Sequence, residues 1–240
     1  VSSAASDVYK RQRPLNDFRL LGRFLQERGF RVLALDNRGA GETQVDSGFS
    51  LDDMVGDIAA LWQHLGITRT RLLGISMGGF IAQMLTLAHP AEVERLVLVS
   101  TAASQTLIRN DEAPWSHNID AVLAKLAHYF TEDFYQRNQM LVKSMAKQIV
   151  KGVADGKFAE RAQLQKAAVR GFDARSRLGE IQCPTLIIHG EDDRVIPVDA
   201  AYELSGLIPG ANIAVLPSAG HLLLAEKPKE LYEAVAAAFG

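Results

Sequence analysis

The stretch Gly74-Ile75-Ser76-Met77-Gly78-Gly79 decides how this chain is expected to fold. It follows an apolar run at 71–75 and precedes another at 80–88, so it predicts a tight turn from a buried strand into a helix. In such a turn a serine adopts a strained backbone, and glycines on either side let neighbouring backbone pass without a Cβ clash. The pattern predicts a nucleophile elbow, with Ser76 exposed at the strand end and the backbone N–H of Met77 directed at a developing oxyanion.

A reactive serine needs a base within hydrogen-bond reach and a carboxylate that orients the base. Asp192 and Asp193 follow the buried-strand run at 185–189, and His221 follows a second apolar run at 212–216. Because the carboxyl ends of parallel strands meet at one edge of a sheet, we expect these side chains to approach Ser76. Either aspartate could orient the histidine, since a shift of one residue in the loop exchanges them.

The remaining histidines and the single cysteine do not predict a metal site. There is no HExxH motif, and one cysteine cannot build a thiolate cage. Cys183 is expected to be a small buried hydrophobe. We expect structural or surface roles for five histidines: His64, His89, His117, His128 and His189.

Hydrophobic patterning along the chain indicates an α/β fold. Helix-like and strand-like runs alternate, which predicts a mostly parallel sheet with helices on both faces. The expected helices are 18–28, 51–65, 77–88 and 228–239, and the expected strands are 31–36, 71–75, 95–99, 185–189 and 212–216. Ser50 and Asp53 resemble a capping box at the start of the second helix.

Composition excludes several classes of function. The chain has 240 residues, 48% of them apolar, and a formal net charge of −2. Basic and acidic residues are interspersed, so no nucleic-acid surface is expected. No apolar run approaches the roughly 20 residues that span a bilayer, so no membrane partner is expected. A single cysteine fits a reducing compartment, and we therefore expect a cytoplasmic location.

Five segments make the chain similar to the α/β-hydrolase fold family, in its branch of small esterases, enol-lactonases and haloperoxidase-like perhydrolases. They are Asp36-Asn37-Arg38-Gly39-Ala40-Gly41, the elbow itself, 190–197, Gly220-His221 and Glu226-Lys227-Pro228. The resemblance runs from about residue 18 to the C-terminus. It implies a catalytic triad of Ser76, Asp193 and His221, with Asp193 preferred because the family places its acid three residues after the glycine that ends the strand. No cofactor is implied.

The stretch 105–178 breaks the alternation and resembles the helical cap that this family inserts over its active site. Helical runs at 119–130 and 134–150 carry it, between core segments at 13–104 and 179–240. A cap forms a substrate pocket and excludes water. The candidates for lining that pocket, each of which could instead pack the cap itself, are Trp115, His117, Tyr129, Phe130, Phe134 and Met140.

The first residues have a different character. Residues 2–12 resemble the translation of a sequencing adapter of the kind that contaminates metagenomic assemblies, so we expect a non-native tail at 1–12 and a natural sequence from Arg13. Relative to the family, the first three strands and a His-Gly loop are then missing. We expect open edges on the strands 31–36 and 71–75, and the loss of a second oxyanion donor that costs roughly a hundred- to a thousandfold in rate.

These features predict a serine hydrolase that acts on a small ester or lactone by acyl transfer, with doubtful activity in a truncated chain. Three alternatives remain open at this point. The same triad could perform perhydrolysis or carbon–carbon bond cleavage; the fold could serve as a non-catalytic binding protein; or the chain could be an inactive fragment.

Overall fold

One sheet of parallel strands organises the molecule, in a computed structural model that describes residues 2–4, 14–41, 43, 45, 47–108, 115–154 and 157–240. All strand pairs in this part of the chain are parallel. The strands are β1 (Ser2–Ala4), β2 (Ala34–Asp36), β3 (Thr70–Ile75), β4 (Val93–Val99), β5 (Thr185–Gly190) and β6 (Asn212–Leu216). They lie in the order β2-β1-β3-β4-β5-β6.

Helices cover both faces of this sheet. They are α1 (Pro14–Gln26), α2 (Leu51–His64), α3 (Met77–Ala88), α4 (Ile119–Leu126), α5 (Glu132–Arg137), α6 (Gln139–Ala154), α7 (Lys157–Ala168), α8 (Asp199–Leu207), α9 (Leu223–Glu226) and α10 (Pro228–Phe239). Successive residues of β4 point to opposite faces: Leu96 and Leu98 join a core cluster with α2, α3 and α8, whereas Val97 and Val99 join one with α1 and α10. The predicted architecture, a parallel sheet flanked by helices, is confirmed.

The expectation of two open strand edges is wrong in this structure. Ser2–Ala4 lies between β2 and β3, and it pairs with Ala34–Asp36 on one side and with Leu73 and Gly74 on the other. Part of the stretch predicted to be a non-native tail therefore occupies the central sheet position that was expected to be empty. Residue 1 and residues 5–12 lie outside the described residues, and the beginning of the natural sequence at Arg13 stays a prediction.

Below β1 the sheet leaves a cavity of about 220 Å³. Its lining includes Arg31 to Leu33, which precede β2, and Thr70 and Arg71, which begin β3. The cavity thus lies at the amino ends of the parallel strands, whereas Ser76 follows the carboxyl end of β3. The cavity and the predicted site therefore lie at opposite ends of the strands.

Helix boundaries differ from the sequence prediction mainly in the stretch 105–178. The run predicted as one helix at 119–130 ends at Leu126, and the run predicted at 134–150 is divided at Asn138 into α5 and α6. Thr131 explains one of these boundaries, because its side chain accepts a hydrogen bond from the Phe134 N–H and so caps the start of α5. The capping box of Ser50 and Asp53 is confirmed at the start of α2.

The helices α4 to α6 share a core of their own. Val122 and Leu126 of α4 pack with Val142, Met145 and Ile149 of α6 in a cluster separate from the two clusters on the sheet. The assignment of 105–178 as a cap, with the core segments at 13–104 and 179–240, is in keeping with this cluster and stays a prediction. No helix in the described part of the chain is long and apolar enough to cross a membrane.

We predict that β1 contributes to stability. Deleting residues 1–4 removes ladder hydrogen bonds on both sides of the strand; losing only two, at about 1 kcal/mol each, lowers the Tm of a domain of this size by roughly 4–8 °C. The same change is expected for Ser3→Pro, because proline cannot donate in a central strand.

Differential scanning calorimetry of the parent chain and both variants tests this. An unchanged Tm in both would show that Ser2–Ala4 is dispensable and would favour the view of residues 1–12 as a tail.

Candidate active site

The turn between β3 and α3 holds Ser76 in an unusual backbone conformation, with φ of 55° and ψ of −123°. A positive φ is strained for a residue with a side chain, at a cost of about 1–3 kcal/mol. The turn is also tight, since a Cβ on Gly74 would overlap the backbone of Gly78, and one on Gly79 would overlap the side chain of Thr101. These contacts explain why glycines flank the serine.

Hydrogen bonds from neighbouring elements hold the strained residue. The Ser76 N–H donates to the Val99 carbonyl of β4 at 2.9 Å. The Ser76 carbonyl accepts from the Thr101 hydroxyl at 2.8 Å and from the Gly79 N–H at 2.8 Å. The backbone of Ser76 is thus fixed from both sides, and its hydroxyl is left for other partners.

The ring of His221 reaches that hydroxyl. His221 lies in the loop after β6, and its Nε2 is 3.1 Å from Ser76 Oγ. Both residues are nearly closed off from solvent, with 6% of Ser76 and 2% of His221 exposed. The distance and the burial are those expected of a serine paired with its general base.

Asp193 binds the other nitrogen of the imidazole. Its Oδ2 lies 2.7 Å from His221 Nδ1, while its Oδ1 accepts the backbone N–H groups of Val195 and Ile196 at 2.8 and 2.9 Å. The neighbouring Asp192 is exposed. Of the two aspartates that the sequence left as candidates, the structure brings Asp193 to the histidine.

His189 stabilises the loop that carries Asp193. It is fully buried at the end of β5, and its Nε2 is 2.8 Å from the Ile196 carbonyl and 3.4 Å from Asp193 Oδ2. Because a carbonyl oxygen can only accept, Nε2 carries the proton. The side chain therefore ties the aspartate loop to the strand, which fits the structural role expected of this histidine.

These neighbours set the charge state of Asp193. Burial by itself raises the pKa of a carboxyl group, but the two histidines and their hydrogen bonds to Asp193 outweigh it and hold its pKa well below the usual value. Asp193 is therefore a carboxylate throughout the pH range in which a histidine base works.

Met77 is the first residue of α3, directly after the serine. The N–H groups in the first turn of a helix have no acceptor within the helix, and the helix dipole adds partial positive charge there. The backbone N–H of Met77 is consequently placed where it could bind an oxygen that becomes negative next to Ser76.

The predicted pocket residues fall into three groups. Tyr129 is near the site, with its ring centroid 5.7 Å from that of His221. Trp115, Phe130 and Phe134 belong to the helical cluster with α4 and α6, and Phe130 stacks on Phe134 with centroids 5.1 Å apart. The prediction for Met140 disagrees with the structure, because 89% of this residue is exposed near the start of α6. His117 is exposed as well.

Sequence reasoning missed two polar residues beside the site. Glu226 of α9 accepts hydrogen bonds from Thr131 and from Gly220, the residue before His221. The sequence predicts no role for Glu226 beyond its place in the segment 226–228, and none for Thr131. No local pattern could have linked them, since 95 residues separate the two positions.

No candidate metal centre accompanies these residues. Within the residues that the structure describes, no three His, Cys, Asp or Glu side chains are grouped so that they could hold a metal ion. Arg38, in the segment 36–41, donates to both carboxylate oxygens of Asp57 through Nε and a terminal nitrogen.

Comparison with known proteins supports a hydrolase. One relative, a Mycobacterium tuberculosis (strain H37Rv) protein provisionally named non-heme bromoperoxidase BpoC, is 31% identical over 221 residues, which cover 86% of this chain and 82% of the relative. The 3-oxoadipate enol-lactonase 2 of Acinetobacter baylyi is 28% identical over 224 residues, covering 89% and 80%. A crystal structure of a hydrolase from Pseudomonas aeruginosa PA01 superimposes with a TM-score of 0.79 at 28% identity, covering 100% and 89%.

A family model described as the alpha/beta hydrolase fold matches residues 14–228. This range includes Ser76, Asp193 and His221, the three residues that the structure joins by hydrogen bonds. The match extends over most of the chain, and the chain belongs to the alpha/beta hydrolase fold family.

Proposed function

We propose that the protein is a serine hydrolase that cleaves a small carboxylic ester or lactone by acyl transfer. The observation that carries the proposal is the continuous hydrogen-bonded line from Ser76 Oγ through His221 to Asp193, at 3.1 and 2.7 Å. Such a line turns a weakly nucleophilic hydroxyl into a nucleophile, because the base can remove its proton during attack.

The first half of the reaction forms an acyl-enzyme. Ser76 Oγ attacks the carbonyl carbon while His221 Nε2 takes the hydroxyl proton, giving a tetrahedral oxyanion. The N–H of Met77 is proposed to bind that oxyanion. The oxyanion collapses, the bond to the leaving oxygen breaks, and His221 returns the proton to that oxygen as the alcohol departs. In a lactone the leaving alcohol remains attached to the acyl group.

The second half reverses these roles. His221 removes a proton from water, the hydroxide attacks the acyl carbon, and the carboxylic acid leaves as Ser76 recovers its proton. Asp193 keeps the proton of the imidazole on Nδ1 and stabilises the imidazolium formed in each half. The proposed steps are supported by the hydrogen bonds that join Ser76 to His221 and His221 to Asp193.

The choice of ester or lactone as substrate rests on the relatives. An enol-lactonase covers 89% of this chain, and its name specifies hydrolysis of a cyclic ester. The relative named a non-heme bromoperoxidase favours a second candidate, in which hydrogen peroxide replaces water in the deacylation step and a peracid is released. Both candidates share the acyl-enzyme on Ser76 and differ only in the second nucleophile.

The single Cys183 is unpaired, in keeping with the proposed cytoplasmic location.

We predict that the chain hydrolyses short p-nitrophenyl esters or small lactones and that Ser76→Ala removes this activity. His221→Ala is expected to cause a loss of similar size, because the nucleophile and its base act as a unit. Asp193→Asn should lower kcat by roughly 10⁴-fold, because the wrong imidazole tautomer then faces the serine.

The matched control for Asp193 is Asp192→Asn, which changes the same group at the exposed neighbouring position. Initial rates of all variants, measured at equal folded concentration, test the proposal. Turnover that survives Ser76→Ala would refute it, and a loss of rate in Asp192→Asn as large as in Asp193→Asn would remove the role of Asp193.

The depressed pKa of Asp193 predicts a pH dependence of stability. A carboxyl whose folded pKa lies below its unfolded value of about 3.9 stabilises the fold fully above that value, and loses this contribution as the pH falls through the folded pKa. We expect Asp193→Asn to cost about 1–3 kcal/mol near pH 7, because buried donors lose their charged acceptor. The difference in unfolding free energy between the parent and Asp193→Asn should become smaller below pH 4, where the parent begins to lose the contribution of the carboxylate.

Urea unfolding followed by circular dichroism between pH 3 and pH 7 measures both curves. Asp192→Asn should stay within about 0.5 kcal/mol of the parent, as surface substitutions usually do. A difference for Asp193→Asn that does not change with pH would contradict the assigned charge state.

A further inference from the structure

A partly buried contact between residues 129–131 and the loop that carries His221 is centred on Glu226. Its Oε2 accepts the N–H of Thr131 at 3.0 Å and the hydroxyl of Thr131 at 2.8 Å, and its Oε1 accepts the N–H of Gly220 at 2.9 Å. Thr131 precedes α5 in the stretch between β4 and β5, whereas Gly220 follows β6. One carboxylate therefore joins two distant parts of the chain.

Only a carboxylate satisfies this set of partners. All three groups donate to Glu226, and an ionised carboxylate is an acceptor at both oxygens. A glutamine would direct its NH₂ group at either Gly220 or Thr131, where it meets a donor. Burial raises the pKa of Glu226, whereas its hydrogen bonds to Thr131 and Gly220 act in the opposite direction because they stabilise the carboxylate.

The same two segments also bond directly through their backbones. The N–H of His221 donates to the Tyr129 carbonyl at 2.9 Å, and the N–H of Leu222 approaches the same oxygen at 3.3 Å. The approach is close enough that a Cβ on Gly220 would lie 2.8 Å from Glu226 Oε1 and 2.9 Å from the Tyr129 carbonyl oxygen. Residues 220–222 are thus held against residues 129–131, an arrangement that we call the histidine clamp.

We propose that Glu226 is a positioning residue that, through the histidine clamp, holds His221 Nε2 at Ser76 Oγ. This inference rests on the proposed function. Glu226 acts through the backbone of residues 220–222 and does not touch the reacting atoms. The histidine ring is fixed by Asp193 at Nδ1, but the distance from Nε2 to the serine also depends on where the backbone of the loop lies.

Through the clamp, the position of residues 129–131 affects the distance between His221 and Ser76. A displacement of about 1 Å in a catalytic group can cost on the order of 10²-fold in rate. Loss of the clamp should therefore lower kcat by more than it changes KM, because the acyl-transfer step needs the short distance between Nε2 and Oγ, whereas substrate binding does not.

Four variants of the full chain separate positioning from simple stabilisation. Glu226→Gln is expected to lower kcat on a p-nitrophenyl ester about ten- to a hundredfold. Thr131→Val, which removes the hydroxyl donor and keeps the N–H, should lower it by a smaller factor. Thr131→Ser keeps both donors and should retain most of the rate. The charge-matched control is Glu230→Gln, at an exposed position on α10, which should behave as the parent.

Rates are normalised to the folded fraction at the assay temperature, measured by circular dichroism. A lower Tm for Glu226→Gln with an unchanged kcat would overturn the proposal and leave Glu226 a stabilising residue only. Equal rates for Thr131→Val and Thr131→Ser would overturn it too. Those results require a parent chain with Ser76-dependent turnover; a parent without such turnover would instead refute the proposed function and the clamp together.

Discussion

The strained backbone of Ser76 is the constraint on which the site depends. Its positive φ costs about 1–3 kcal/mol. The hydrogen bond that Ser76 donates to β4 and the two that it accepts from Thr101 and Gly79 offset that cost at about 1 kcal/mol each. Because of this turn, the Ser76 hydroxyl lies beside His221, and the N–H of Met77 lies at the start of α3. The glycines at 74 and 79 are required because any side chain there would overlap its neighbours.

Parallel strand order then assembles the remaining groups. Ser76, Asp193 and His221 follow β3, β5 and β6, and these strands all end at the same edge of the sheet. Each side chain is buried and fixed by a partner from another element, as His189 shows for the aspartate loop. Burial strengthens the interactions among the three groups and makes the pKa of Asp193 dependent on its two histidine neighbours.

The sequence predicted the elements whose signals are local. The bounds of α3, β6 and α10 match the expected 77–88, 212–216 and 228–239, since apolar periodicity and turn residues mark both ends. Non-local features were not predictable in this way. The strand at Ser2–Ala4 forms because a position between β2 and β3 is open to it. The exposure of the Met140 side chain depends on how α6 is oriented. The hydrogen bond between Glu226 and Thr131 joins residues that are 95 positions apart.

The central claim is that Ser76 is the nucleophile, activated by His221. The most direct measurement is reaction of the full chain with a fluorophosphonate, followed by peptide mass spectrometry to locate the adduct. The account predicts one stoichiometric adduct on Ser76, formed much more slowly in His221→Ala and absent in Ser76→Ala. An adduct on another residue, or labelling of Ser76 at the same rate without His221, would contradict it.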